Sequence, residues 1–315
     1  MSVGYLHQRD DFELLLRVVG EEKGIDPSLV EKDYWIMHAL YGLGLLGYDF
    51  ILKGGTSLSK GHRIIHRFSE DIDIYIRPAP ELGILENSLS RGQAAKRRAY
   101  YDSLAERIRI PGFVTVERDL AFDDTAYYRG GGIRMSYESR TSRLEGLKEG
   151  ILLEVGFDTV SPNDSYEISS WAYDRALESG VSMIDNRATS VACYHPGYTF
   201  VEKLQAVATK YRRERESGSM NPNFMRQYYD LYCLLDDPRV LGFIGTQEYF
   251  DHKGKRFPVK DLGIPMHSNE AFLLSEPTIR QAYRERYRRT AGLYYMGQPD
   301  FEEVMERIRH FLPRL

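Results

Sequence analysis

Cysteine and tryptophan are scarce in this chain, with two of each among 315 residues. Two thiols cannot build a disulfide scaffold. Cys193 and Cys233 lie in apolar, tyrosine-bearing stretches (Val191-Ala-Cys-Tyr194 and Leu231-Tyr-Cys-Leu-Leu235) and read as buried free thiols. A large net charge is lacking too: the balance is −4, so nothing draws the whole molecule to nucleic acid, and any RNA contact needs a local basic surface. Long hydrophobic runs are missing. The most apolar window, Ala39–Leu52, is interrupted by Gly42, Gly44, Gly47 and Asp49 and is too short to span a bilayer. Met1–Asp10 is polar and has no apolar core of a secretion signal, so a soluble cytoplasmic protein is expected, with no membrane partner. Internal repeats and low-complexity tracts are absent as well.

What is present is a chain with 42% hydrophobic residues, enough for one large or two moderate cores. Periodicity predicts helices over 11–22 and 27–43, the second with Pro27 in its first turn. A strand at 49–53, a helix at 55–66 and a strand at 70–77 follow. Helix 91–109 is basic at Lys96-Arg-Arg98. Strands are expected at 113–119, 125–137 (broken by Gly130-Gly-Gly132) and 151–157. From about residue 190 the pattern turns helical, over 198–215, 222–236, 277–290 and 299–312, with loops and short elements in 237–270. The expected class is α/β (α+β): a mixed-sheet lobe over 1–190, a helical lobe over 191–315, and a cleft between them.

The densest chemistry lies in Phe50-Ile-Leu-Lys-Gly-Gly-Thr-Ser-Leu58 and Arg67-Phe-Ser-Glu-Asp-Ile-Asp-Ile-Tyr-Ile76. Strand side chains alternate faces, so Asp71 and Asp73 point one way while Ile72, Ile74 and Ile76 point the other. Two neighbouring acids repel unless a cation sits between them, and aspartate is disfavoured in strand interiors, so a metal site is expected there. Glu154 is alone among apolar neighbours in Ile151-Leu-Leu-Glu-Val-Gly-Phe157 and needs a partner. A shared Mg2+ supplies one, with Mn2+ as a substitute. Asp158 competes for the role of third acid, and an ion pair is the plain alternative. Gly54, Gly55, Thr56 and Ser57 form a candidate phosphate loop, offering backbone N–H groups and hydroxyls, although the spacing is not that of a Walker loop. Ser69 shares the face of Asp71 if the strand extends that far. A phosphate on Ser69 would then add about −1.5 to −2 charge beside the nucleotide and block it.

Other candidates are weaker taken singly. Lys203 falls off the apolar stripe Val201, Leu204, Ala208, Tyr211 and reads as a solvated lysine. Asp230 sits four residues after Arg226, the spacing of a simple helical ion pair. His62 and His66 share a helical face but have no third zinc ligand in the sequence. Arg280–Tyr295 interleaves five arginines with Tyr283, Tyr287, Tyr294 and Tyr295, which suits either stacking on a nucleic-acid backbone or an ordinary amphipathic helix.

Together Glu31-Lys-Asp-Tyr-Trp35, Lys53-Gly-Gly-Thr-Ser-Leu58, Arg67-Phe-Ser-Glu-Asp-Ile-Asp73, Glu202-Lys203 and Arg226…Tyr229-Asp230-Leu231 resemble the AbiEii/AbiGii toxin family, nucleotidyltransferase-like proteins of bacterial abortive-infection and toxin–antitoxin systems. The Gly-Gly…Asp-x-Asp element alone is shared by the whole DNA-polymerase-beta-like superfamily. The resemblance implies a nucleotidyltransferase fold, Asp71 and Asp73 as metal ligands, Ser57 and Ser69 near the nucleotide, Lys203 on its phosphates and Asp230 as an essential second acid. It also implies an NTP substrate, an RNA acceptor with the tRNA 3′ end among the candidates, phage defence and a cognate antitoxin. Asp230 or Glu154 would then help to activate the attacking hydroxyl or to position metal. The rival readings keep the fold but change the role: a small-molecule, antibiotic-type nucleotidyltransferase, or an inactive nucleotide-binding or protein-interaction module. Fifteen residues separate Gly55 from Asp71, more than is usual in that superfamily.

Overall fold

A computed structural model describes residues 3–142, 144, 146–158, 160–221 and 224–315. The chain divides into two compact units, Met1–His62 with Phe68–Tyr194, and Arg63–Arg67 with His195–Leu315.

The first unit is built on a seven-stranded mixed sheet. Its strands are β1 (Phe50–Lys53), β2 (Asp71–Ile76), β3 (Phe113–Asp119), β4 (Gly130–Tyr137), β5 (Ile151–Gly156), β6 (Asn163–Ile168) and β7 (Ala188–Tyr194). Their spatial order is β3-β4-β5-β2-β1-β7-β6. β2 runs antiparallel to β1 and parallel to β5, while β1 is parallel to β7. The central strands β1, β2 and β5 carry the apolar core of the sheet: Leu52, Ile72, Ile74, Ile151, Leu152 and Leu153 are fully buried.

The helix Pro27–Leu45 begins with Pro27 as its first residue and Asp26 capping it, the Asp26 carboxylate accepting from the Ser28 N–H at 2.9 Å. From Ser28 to Leu40 every residue is buried, including Glu31, Lys32 and Asp33. Three consecutive charged residues inside a core require partners, and those partners shape the site described below.

Several sequence expectations shift. The helix expected over 55–66 is one turn, Gly54–Thr56, followed by a π-type turn, Ser57–Gly61. The strand expected from residue 125 starts at Gly130, where the glycine run begins. β2 starts at Asp71, so Ser69 precedes the strand and is not on its face. β6 and β7 escaped the sequence reading because short strands rich in Ser, Thr, Asp and Glu carry little hydrophobic periodicity.

The second unit is helical, with Pro196–Ser217 its longest helix, joined by Arg226–Leu234, Gln247–Arg256, Pro277–Arg288 and Phe301–Phe311. Leu204, Val207, Phe224, Tyr228, Leu231, Val304 and Met305 make its core. The segment Arg63–Arg67 belongs to this unit: Arg67 bridges to Tyr294, and the Tyr295 N–H donates to the His66 carbonyl at 3.2 Å. This accounts for the long spacer between Gly55 and Asp71. Among the described residues no helix is long and apolar enough to cross a membrane.

Candidate active site

Sheet register sets the acids of the first unit. Asp73 has Lys53 as its Cα partner on β1 and Glu154 as its partner on β5, so one cation and two carboxylates stand in a row across three strands. Asp71, two residues before Asp73, is on the same face, paired at Cα level with Leu152. β1 ends in a turn that only glycine tolerates. Gly54 has φ +68°, and a Cβ there would lie 2.0 Å from Asp73 Oδ2. The Asp73 carboxylate is therefore packed against the Gly54 backbone. Two residues later the Thr56 hydroxyl donates to the Asp71 carbonyl at 2.5 Å, tying the turn to the strand of the acids.

Electrostatics mark this row as strained by like charge. Burial, then Asp73, then Asp71 push the Glu154 carboxyl up from its ordinary 4.5 to about 7, against the opposing pull of Lys148 and Lys53. Asp71 Oδ2 accepts from Lys148 Nζ at 2.6 Å, whereas Asp71 Oδ1 is buried with no hydrogen-bond partner among the described residues. Asp158, the rival third acid, is engaged by Lys53 at 3.0 Å and stands 3.9 Å from Arg129. Glu154 stands in register with Asp73. No three His, Cys, Asp or Glu side chains among the described residues converge tightly enough to ligate a metal. The donor set nonetheless suits a hard divalent cation: all oxygen, mutually repelling, and with one carboxylate oxygen unsatisfied. A recess of about 240 Å³ opens beside these groups, lined by Lys53, Asp73, Arg129, Gly130, Gly131, Glu154 and Asp158.

The candidate phosphate loop differs from expectation in its hydroxyls. Thr56 and Ser57 are buried, Thr56 donates to the Asp71 carbonyl, and Ser57 packs beside the Cys193 thiol. These hydroxyls thus shape the turn, and Gly54 and Gly55 supply its backbone. Ser69 is half-buried ahead of β2.

Sequence reasoning singled out the run Glu31-Lys-Asp but gave it no role in holding this arrangement. Glu31 accepts from Arg140 N at 2.7 Å, Thr141 Oγ1 at 2.6 Å and Ser139 Oγ at 2.8 Å, pinning the start of the loop between β4 and β5. Lys32, 1% exposed, donates to the Lys148 carbonyl at 2.6 Å and pairs with Glu70 at 3.5 Å, pinning the loop's end and the residue before Asp71. Asp33 pairs with Lys60 and accepts the Trp171 N–H at 2.9 Å. A Glu-Lys-Asp run inside an otherwise apolar helix was the available signal.

In the second unit Lys203 and Asp230 meet, and Arg67 joins them. Arg67 grips Asp230 in a two-pronged pair, 2.7 Å to each carboxylate oxygen, and Lys203 Nζ lies 2.9 Å from Asp230 Oδ2. Asp230 is fully buried, and these two cations hold its carboxyl below the usual range despite the opposing effect of burial. Arg226 was the partner expected for Asp230. Arg67 fills that place instead, delivered from a distant part of the sequence. Lys203 is mostly buried, not the solvated lysine its helical position suggested.

Of the two readings of Arg280–Tyr295, packing favours the amphipathic helix. Tyr283, Tyr287 and Tyr294 are buried, and Arg280, Arg284 and Arg286 are paired with Glu302 or Glu214. The segment is an amphipathic helix and its continuation, packed by its tyrosines. His62 bonds Tyr166 and the Tyr194 carbonyl, so it serves the core.

The family described as "Nucleotidyl transferase AbiEii toxin, Type IV TA system" matches residues 36–307, and the chain belongs to it. It is thus a member of a nucleotidyltransferase toxin family of type IV toxin–antitoxin systems. Among solved structures it is similar to an antigenic nucleotidyltransferase-like protein from Paracoccidioides brasiliensis, 14% identical, covering 80% of this chain and 92% of that one with a TM-score of 0.38. Comparison with curated proteins finds no match.

Proposed function

We propose that the protein transfers a nucleoside monophosphate from an NTP to a hydroxyl of an RNA acceptor, with the tRNA 3′ end the leading candidate, and that a cognate antitoxin restrains this activity in the cytoplasm. The acceptor oxygen bonds to the α-phosphorus and gives up its proton to solvent water. The bond from the α-phosphorus to the bridging oxygen breaks, and pyrophosphate leaves. The observation that carries the reading is the register of Asp73 with Glu154, beside Asp71 and packed against Gly54.

Asp71, Asp73 and Glu154 would hold a divalent cation, Mg2+ in the cell, which when bound polarises the α-phosphate and offsets charge on the departing pyrophosphate. The left-handed Gly54 lets a phosphate approach the backbone of the turn. Lys203, in the helical unit, has its ammonium oriented by Asp230. Asp230 has both oxygens engaged by Arg67 and Lys203, which suits a positioning residue better than a proton acceptor.

The test is incubation with each labelled NTP, Mg2+ and total tRNA. Label is expected on RNA with wild type and not with Asp71→Ala. Equal transfer by Asp71→Ala, or label on a small hydroxylated compound alone, overturns the reading.

A further inference from the structure

Lys148 is placed with more care than an ordinary surface lysine. Its carbonyl accepts from the buried Lys32 ammonium at 2.6 Å, and its N–H donates to Glu70 Oε2 at 3.2 Å. Lys32 and Glu70 are themselves paired and are 1% and 5% exposed. A buried ion pair thus clamps one residue's backbone from both sides. Both bonds are to main-chain atoms, so the clamp does not need the Lys148 side chain. What it fixes is the origin of that side chain, whose ammonium reaches Asp71 Oδ2 at 2.6 Å and passes 5.1 Å from the Phe122 ring. The Asp71 backbone is set without Lys148, by β2 pairing with β5 and by the Thr56 hydroxyl on its carbonyl.

We propose that Lys148 is a built-in counter-ion of the carboxylate row, competing with the divalent cation for Asp71, so that cation entry requires its ammonium to swing aside. The proposal rests on the metal reading of Asp71, Asp73 and Glu154. Two opposing effects decide its sign. Lys148 orders one Asp71 oxygen, which would favour cation binding, but a second positive charge on the same carboxylate repels a dication with twice the force it exerts on a monocation. Since β2 and Thr56 already place Asp71, repulsion wins. The Lys148 side chain is 29% exposed and flexible, so it has room to leave. The device keeps like-charged acids together before the cation arrives and restrains metal binding until other negative charge, such as a triphosphate, accompanies it.

The experiment measures Mn2+ affinity, without nucleotide, for wild type, Lys148→Met, Lys148→Arg and Asp71→Asn, with thermal unfolding confirming that each is folded. Lys148→Met is expected to bind Mn2+ roughly fivefold more tightly, the scale of releasing one partly exposed ion pair. Lys148→Arg, which keeps the charge, is expected to stay near wild type. Lys148→Met binding Mn2+ equally or more weakly, or Lys148→Arg tightening as much as Lys148→Met, overturns the competition. Mn2+ binding that Asp71→Asn leaves unchanged overturns instead the metal reading beneath it.

Discussion

Glu154→Gln is expected to stabilise the metal-free protein at pH 8 while removing most of the stabilisation that a divalent cation gives to wild type. Glu154 lies in register with Asp73 and near Asp71, and its carboxyl is pushed from 4.5 to about 7 by burial and those two acids. The folded state therefore holds the Glu154 proton more tightly than the unfolded chain does. As pH rises from 4.5 to 7 the unfolded chain ionises first, and stability falls across that window. Above pH 7 the full penalty applies, about 3 kcal/mol at most for a gap of this size at 1.36 kcal/mol per pH unit. Glutamine keeps the shape and removes the charge. For a unit of this size, 1 kcal/mol moves the melting temperature by about 2–4 °C, so a gain of roughly 6–12 °C is the ceiling. The assay is thermal unfolding of wild type and Glu154→Gln in EDTA at pH 5 and pH 8, repeated with Mn2+. The two proteins should differ by less than about 1 kcal/mol at pH 5 and by most of the penalty at pH 8, and Mn2+ should raise wild type more than the variant. A variant less stable than wild type at pH 8 in EDTA refutes the reasoning, because Glu154 would then be a satisfied structural carboxylate.

Gly54→Ala is expected to cost about 1–2 kcal/mol for its left-handed backbone, and to lower nucleotidyl transfer more than tenfold because its Cβ displaces Asp73. Gly47→Ala, at φ +75° with open space around the new Cβ, should show the same backbone cost in unfolding but unchanged transfer. Arg67→Met leaves buried Asp230 with Lys203 alone and should destabilise the helical unit by about 3–5 kcal/mol, read as selective proteolysis of residues after 195. His7, held near pH 3 by burial and by His38, bonds Tyr34 in a buried network with Asn186 and His38. The unfolded chain takes up that proton first, so stability is lost as pH falls below 6.5, by up to about 1.4 kcal/mol per pH unit. His7→Gln should flatten that acid limb relative to wild type in denaturant titrations.

The elements nearest the acids were legible because their pattern is local. Asp71-Ile-Asp-Ile alternates with the period of a strand, and Lys53-Gly-Gly-Thr announces a turn, so β1, β2 and the facing aspartates follow from the sequence. Glu154 stood out as one acid in an apolar run, and β5 sets it opposite Asp73. The rest depends on contacts between residues far apart in the chain, which periodicity cannot encode. Arg67 reaches Asp230 across 163 positions, and Lys32 reaches the Lys148 carbonyl across 116. The helix expected to run to residue 66 stops at Gly61 because the next residues leave to join the helical unit. The arginine–tyrosine stretch stayed open for a related reason: amphipathic packing and a stacking platform share one composition, and only the burial of Tyr283 and Tyr287 separates them.

The central claim is that one cation is gripped by the carboxylates of β2 and β5 beside the glycine turn. Its most direct test is anomalous diffraction from crystals soaked with Mn2+ and a non-hydrolysable NTP. The account predicts a manganese peak within ligating distance of Asp71 and Asp73, on the Glu154 side, with the triphosphate resting on residues 54–55. A nucleotide bound there without manganese on those aspartates, or manganese bound only elsewhere, contradicts it.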